Sequence, residues 1–304
     1  MRNTGGTLFS IGQQMKPALT LTEQLNLLQS RNLIFKNEYE TENILYQHNY
    51  YRLSGYWRKF QTDPKNGKDK FKDGTTFEEI LEIYNLDSQL RNLLSKGIGI
   101  FEVCFRSNFV YWMSHSEKNG MYSYLCLDSY DNRIFKNEKL DDLLIKINRE
   151  LNTSKEMCIE HYKKREESIP VWAASEVLGF GTISKMYSRW KNRDVVKKVY
   201  REFEVFRHIG DYDNIFTVIR ALVHLRNLCS HQARIWNKRV VAQVLDRNYL
   251  KKFGSSSERA QWKIISVLML LVDNINKNDE YSKEVLNLCK SNDEFYRGLT
   301  EPNL

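Results

Sequence analysis

The stretch from Asn214 to Trp236 reads NIFTVIRALVHLRNLCSHQARIW and contains neither proline nor glycine. Laid out at about 100° per residue, Val218, Leu222, Leu225, Cys229 and Trp236 fall on one narrow stripe. That stripe predicts a single helix over 214–236 with one face against a core. Asp211 or Asp213 can cap its start. The polar residues gather elsewhere. Arg226, Ser230 and Arg234 lie within about 80° of one another, with Asn227 and His231 beside them and Arg220 on the same arc.

The same periodicity recurs along the chain. Thr20 to Glu23 forms a capping box, and Leu21, Leu25 and Leu28 follow at helical spacing. A polar loop over 63–73 precedes two overlapping boxes at Thr75 and Thr76. Phe77, Ile80, Leu81, Tyr84, Leu90, Leu93 and Leu94 then read as a long helix. Gly97 and Gly99 are candidate kinks, and the pattern resumes through Phe101, Phe105, Phe109 and Trp112. Thr153 to Glu156 reads as the cap of a further helix that ends before Pro170. Gly179 and Gly181 break the chain, and Thr182 opens a short helix to Trp190. Helices are also expected over 257–276 and 282–290. No strand-length alternation of apolar and polar residues is found, so the fold class is all-α. The organisation read from this pattern is an N-terminal helical segment (1–75), a bundle carrying the polar arc (76–240) and a C-terminal helical extension (241–304).

Composition excludes several classes. With 41% hydrophobic and 12% aromatic residues, the 304-residue chain can build a sizeable core and is not a disordered segment. The five cysteines are odd in number, widely spaced and lack a CxxC pair, which points to reduced thiols in a cytoplasmic protein. No signal peptide is read at the N-terminus. The most apolar run, Ile264 to Val272, is nine residues including Ser266, so it reads as a buried core helix and no membrane span is expected. The net charge is +8, and 189–239 holds twelve Lys or Arg against five Asp or Glu. Such a surplus suits a polyanion partner, or a solvated face that keeps the protein soluble.

The arc carries three arginines, a histidine, an asparagine and no acid. Without a neighbouring carboxylate, a guanidinium is well shaped to bind phosphate. An imidazole can take or give a proton near neutral pH. Together these suit RNA cleavage by the 2′-hydroxyl, in which a base, an acid and a cation act on one phosphate. No carboxylate or Cys/His cluster with ligand spacing surrounds the arc, so no metal and no cofactor is expected.

Arg226-Asn227 followed by His231 resembles the HEPN ribonuclease motif. Five blocks in order are similar to the Abi-like family of abortive-infection proteins, the AbiD/AbiF type. They are Asn49 to Trp57, Phe77 to Arg91, Phe101 to Arg106, Pro170 to Gly181 with Ser184, and Arg226 to Asn237. Gln232 departs from the family, where a His is common. The resemblance implies a HEPN-like helical bundle and a metal-independent endoribonuclease acting as a toxin in phage defence. It assigns catalysis to Arg226, Asn227 and His231. Only one such motif occurs, so the second half of the site is expected from a second copy of the chain, a homodimer. Arg220, Arg234, Lys238 and Arg239 are expected to hold RNA. The resemblance also implies an antitoxin, or a small non-coding RNA, as partners to look for.

Other residues allow two readings each. Tyr50, Tyr51 and Arg52 interleave aromatics with a cation, which can bind RNA or simply pack. Gly179 and Gly181 ahead of Thr182 can cradle an anion or form a plain turn. Glu102 and Arg106 read as an ion pair, and His224 as structural. At the level of function, the rivals to a nuclease are a non-catalytic protein that senses or sequesters a small RNA, and a protein–protein switch.

Overall fold

A computed structural model describes residues 18–116, 120–131, 139–209, 215–240 and 248–303. Among them the protein is all-α, with one two-stranded hairpin as its sheet. It divides into two compact units, residues 1–81 and 82–304.

In the first unit, α1 (Leu21–Ser30) opens on the expected capping box. The Thr20 hydroxyl accepts from the Glu23 N–H at 3.3 Å, and the Glu23 carboxylate accepts from the Thr20 N–H at 2.7 Å. Asn37 caps α2 (Glu38–His48), which packs on α1 and on α3 (Tyr50–Trp57). The loop expected over 63–73 instead carries a short antiparallel hairpin, β1 (Gln61–Asp63) and β2 (Lys68–Phe71). Gly67, at φ +77°, makes the left-handed turn between them. Strands of three and four residues are too short to display alternation. Helix α4 (Phe77–Ser114) begins with a reciprocal Thr76–Glu79 box and runs into the second unit.

The second unit continues with α5 (Leu140–Thr153), α6 (Met157–Lys164), α7 (Val171–Ala174) and α8 (Phe180–Arg189). Then come α9 (Arg193–Glu202), α10 (Glu204–Ile209), α11 (Ile215–Ser230), α12 (Gln261–Asn276), α13 (Glu280–Lys290) and α14 (Asp293–Thr300). Thr153 ends α5 instead of capping α6; Ser154 accepts the Glu156 N–H just ahead of α6. Every residue of α12 from Gln261 to Val272 is buried, as its apolar run predicts. It packs against α10, α11, α13 and α14. Phe101, Phe105 and Phe109 of α4 form an aromatic cluster with Phe180, Tyr187, Trp190, Phe203 and Phe206. Fully burying one such side chain contributes about 1.5–3 kcal/mol.

The helix does not break at Gly97. A Cβ there would lie 2.1 Å from the Tyr281 hydroxyl oxygen, so glycine makes room for that ring. The Tyr281 hydroxyl donates to the Leu93 carbonyl at 3.1 Å. No helix among the described residues is long and apolar enough to cross a membrane.

The thiols sort by burial. Cys126 is exposed, whereas Cys229 and Cys289 are buried. Burial pushes the Cys229 thiol up to about 11 and that of Cys289 well above the usual thiol range. In the native protein at pH 8, a thiol reagent is therefore expected to modify Cys126 fastest and to leave Cys229 and Cys289 untouched until denaturant is added. Peptide mapping by mass spectrometry checks the order.

Candidate functional site

Helix α11 stops at Ser230, six residues short of the sequence expectation. Its end is a Schellman motif. The Ala233 N–H bonds to the Leu228 carbonyl at 2.8 Å and the Gln232 N–H to the Cys229 carbonyl at 3.0 Å. Gln232 takes the left-handed conformation this motif needs, with φ +51°. The His231 N–H still reaches back to the Asn227 carbonyl at 3.0 Å, so His231 holds the helical register at the cap.

A buried pair on α4 stops the helix. Asp87 and Arg91, 0% and 1% exposed, sit four residues apart with the Arg91 Nη1 at 2.5 Å from the Asp87 carboxylate. That carboxylate also accepts the N–H groups of Ile235 and Trp236, at 3.2 and 3.0 Å. Those two amides would otherwise have to find helical carbonyls. The Arg91 Nε donates to the Gln232 side-chain oxygen at 3.1 Å, which fixes the residue carrying the left-handed turn. On its far side the segment is clamped by α14. The buried Trp236 indole donates to the Phe295 carbonyl at 3.1 Å. The Asn237 N–H donates to the Gly298 carbonyl at 3.1 Å. A Cβ on Gly298 would meet the Trp236 indole nitrogen at 2.0 Å, so only glycine fits there.

These contacts leave Arg226, Asn227, Ser230 and His231 exposed around the end of α11, while Leu225, Leu228 and Cys229 are buried behind them. The side chains of Arg226, Asn227 and His231 form no hydrogen bond or ion pair within the described residues. Arg220 is exposed on the same helix and Arg239 beyond the turn. Arg234 does not extend the helical arc, because it lies in the turn that Asp87 holds; it is half-buried, as is Lys238. Arg220 and Arg234 both interact with other groups of the chain. Burial, and then the Arg234 charge, hold the Lys238 ammonium below the usual lysine range. Burial, and then Lys238, hold His224 below the usual imidazole range, so its half-buried ring stays neutral at pH 7. The basic stretch is thus not one open face: Arg189 is 1% exposed, and Lys198 lies over the Trp112 ring.

Tyr51 and Arg52 belong to the other compact unit, on α3. Tyr51 is 84% exposed, and Arg52 is half-buried. Tyr50 packs: its ring meets Trp57 at 4.8 Å, and its hydroxyl accepts from Arg31 at 3.1 Å. The glycine turn at 179–181 is already filled by the protein's own carboxylate. Glu150 accepts from the Gly179 N–H at 3.0 Å and from the Thr182 hydroxyl at 2.9 Å. The carboxylate thus takes an N–H at the start of α8, the place an outside anion would occupy. Glu102 and Arg106 form the expected pair at 2.6 Å.

The family model for Abi-like proteins matches residues 43–237, more than half of the chain. The chain belongs to the Abi-like family. The match takes in Asp87, Arg91, Arg226, Asn227, His231 and Gln232, and so includes both the exposed group and the buried pair beneath it. It ends at Asn237, so Lys238, Arg239 and the clamping helix α14 lie outside it. No curated protein and no solved structure gave a match.

Removing the Asp87 carboxylate while leaving Arg91 buried is expected to cost about 3–5 kcal/mol, because an uncompensated charge remains. Urea denaturation of Asp87→Ala checks this. Gln232→Ala, which loses one exposed-side acceptor, is expected to cost about 1 kcal/mol.

Proposed function

We propose that this Abi-like protein is a metal-independent endoribonuclease of the HEPN type that acts as an abortive-infection toxin in phage defence. The observation that carries this reading is the exposed group Arg226, Asn227 and His231, set on a helix end that the buried Asp87–Arg91 pair holds in place. Exposed polar side chains on a rigid support are what substrate positioning needs. In this reading His231 takes or gives a proton, Arg226 stabilises the extra charge on the phosphorane-like transition state, and Asn227 orients His231 or contacts the phosphate. Arg220, Arg234, Lys238 and Arg239 hold the RNA backbone; Tyr51 and Arg52, on the other unit, are proposed as RNA contacts in their own right.

Arg226 and His231 lie about 140° apart around the helix, so their side chains diverge. A two-fold dimer resolves this by placing the Arg226 of one copy near the His231 of the other. It also supplies two imidazoles, one to accept the 2′-proton and one to protonate the leaving 5′-oxygen. Sedimentation is expected to show a dimer at the concentrations where the protein is active; a fully active monomer would contradict this arrangement.

The purified protein should cleave RNA in excess EDTA and leave 2′,3′-cyclic phosphate and 5′-hydroxyl ends. Cleavage that stops in EDTA and returns with magnesium would overturn the mechanism. Salt-sensitive binding without any cleavage would instead favour the non-catalytic reading, in which the protein senses or sequesters a small RNA.

A further inference from the structure

A cleft of about 450 Å³ opens between α4 and α7, lined by Ser107, Tyr111, His115, Trp172, Glu176 and neighbouring residues. Its walls are aromatic and accessible: Tyr111 is 54% and Trp172 46% exposed. The Tyr111 and His115 rings lie 4.3 Å apart and 32° from parallel, which makes a continuous platform. The opposite wall is tied down by the Val171 N–H, which donates to the Met121 carbonyl at 2.9 Å. The volume falls within the range of small-ligand sites.

The polar groups of the cleft accept much more than they donate. The Ser114 hydroxyl donates to the Val110 carbonyl at 2.8 Å and the Ser175 hydroxyl to the Trp172 carbonyl at 2.9 Å, so only their lone pairs remain for a ligand. His115 Nδ1 lies 2.7 Å from the Tyr111 carbonyl, which can only accept, so Nδ1 carries a proton and Nε2 is the ring nitrogen left to face a ligand. The exposed Glu176 carboxylate has no hydrogen bond or ion pair within the described residues. Among the described residues no Lys or Arg lines the cleft.

We propose that this cleft is a guanine-selective base-binding site, with the ring stacked on Trp172 or Tyr111 and its N1–H and N2 amino group donated to the Glu176 carboxylate. Guanine presents two adjacent donors on that edge. Adenine and cytosine put a ring lone pair towards the carboxylate, and uracil flanks its one N–H with two carbonyl oxygens. Ser107, whose hydroxyl is exposed, can donate to the guanine O6. Stacking supplies base affinity, and the carboxylate supplies the choice among bases. That the base comes from RNA rests on the proposed function above. The chemistry of the cleft does not, since neither Arg226 nor His231 takes part.

The test uses the full-length protein with its tryptophans labelled with ¹⁵N, and GMP, AMP and arginine amide as separate probes. Trp172→Phe identifies the Trp172 indole signal. GMP is expected to shift that signal at millimolar concentration, and AMP at least about tenfold more weakly. Glu176→Gln, a surface change of nearly equal size, is expected to weaken GMP binding about tenfold or more and to remove its advantage over AMP. Equal shifts with GMP and AMP, a stronger response to arginine amide, or no response to GMP would each overturn the proposal. None of these outcomes depends on RNA cleavage, so failure of the base site and failure of the nuclease reading are distinct results.

Discussion

Everything exposed at the end of α11 depends on one buried carboxylate. Asp87 is fully buried, and its charge is met by Arg91 and by the amides of Ile235 and Trp236. A lone buried charge would be far too costly; one with a guanidinium and two N–H donors is sustained. The pair does more than neutralise itself, because Arg91 also fixes Gln232. One interaction on α4 therefore sets where α11 stops, which conformation the turn takes and where the chain enters the clamp on α14. The His231 ring sits at that stop and inherits its position from a contact it does not make.

Much of the scaffold was legible because its causes are local. The boxes at Thr20–Glu23 and Thr76–Glu79 involve residues three apart, and both formed as read. The apolar run at 264–272 could only be satisfied by burial on all sides, and every residue of that run in α12 is buried. The stop of α11 was not legible. Its cause is an acceptor 149 positions away, and Gln232 gives no glycine signal for a left-handed cap. For the same reason Arg234 reads from the sequence as part of a helical arc and is found in a turn. The Glu150 carboxylate in the glycine turn is likewise remote, 29 positions from Gly179.

The site residues divide in the same way. Exposure of Arg226, Asn227 and His231 follows from periodicity, since the apolar stripe of α11 fixes which side is turned inwards. Their spacing carries the resemblance, and the match over 43–237 places them in an Abi-like chain. The charge surplus of the basic stretch was a coarser guide. Counting charges cannot foresee that Arg189 is buried, or that Lys238 is half-buried with its ammonium weakened by burial and by Arg234. Of the cations on α11 and in the turn that follows it, Arg220, Arg226 and Arg239 are exposed and are the ones best able to meet a phosphate.

The proposed chemistry places the reacting proton on His231, which makes one comparison decisive. Rates of cleavage of a single defined RNA should be measured for the native protein and for His231→Ala, with stability and RNA affinity checked in both. His231 is exposed and its side chain makes no hydrogen bond or ion pair among the described residues, so stability and affinity should be retained while cleavage falls by about a hundredfold or more. A His231→Ala protein that binds and cleaves at the native rate would contradict the assignment of this helix end as the catalytic site.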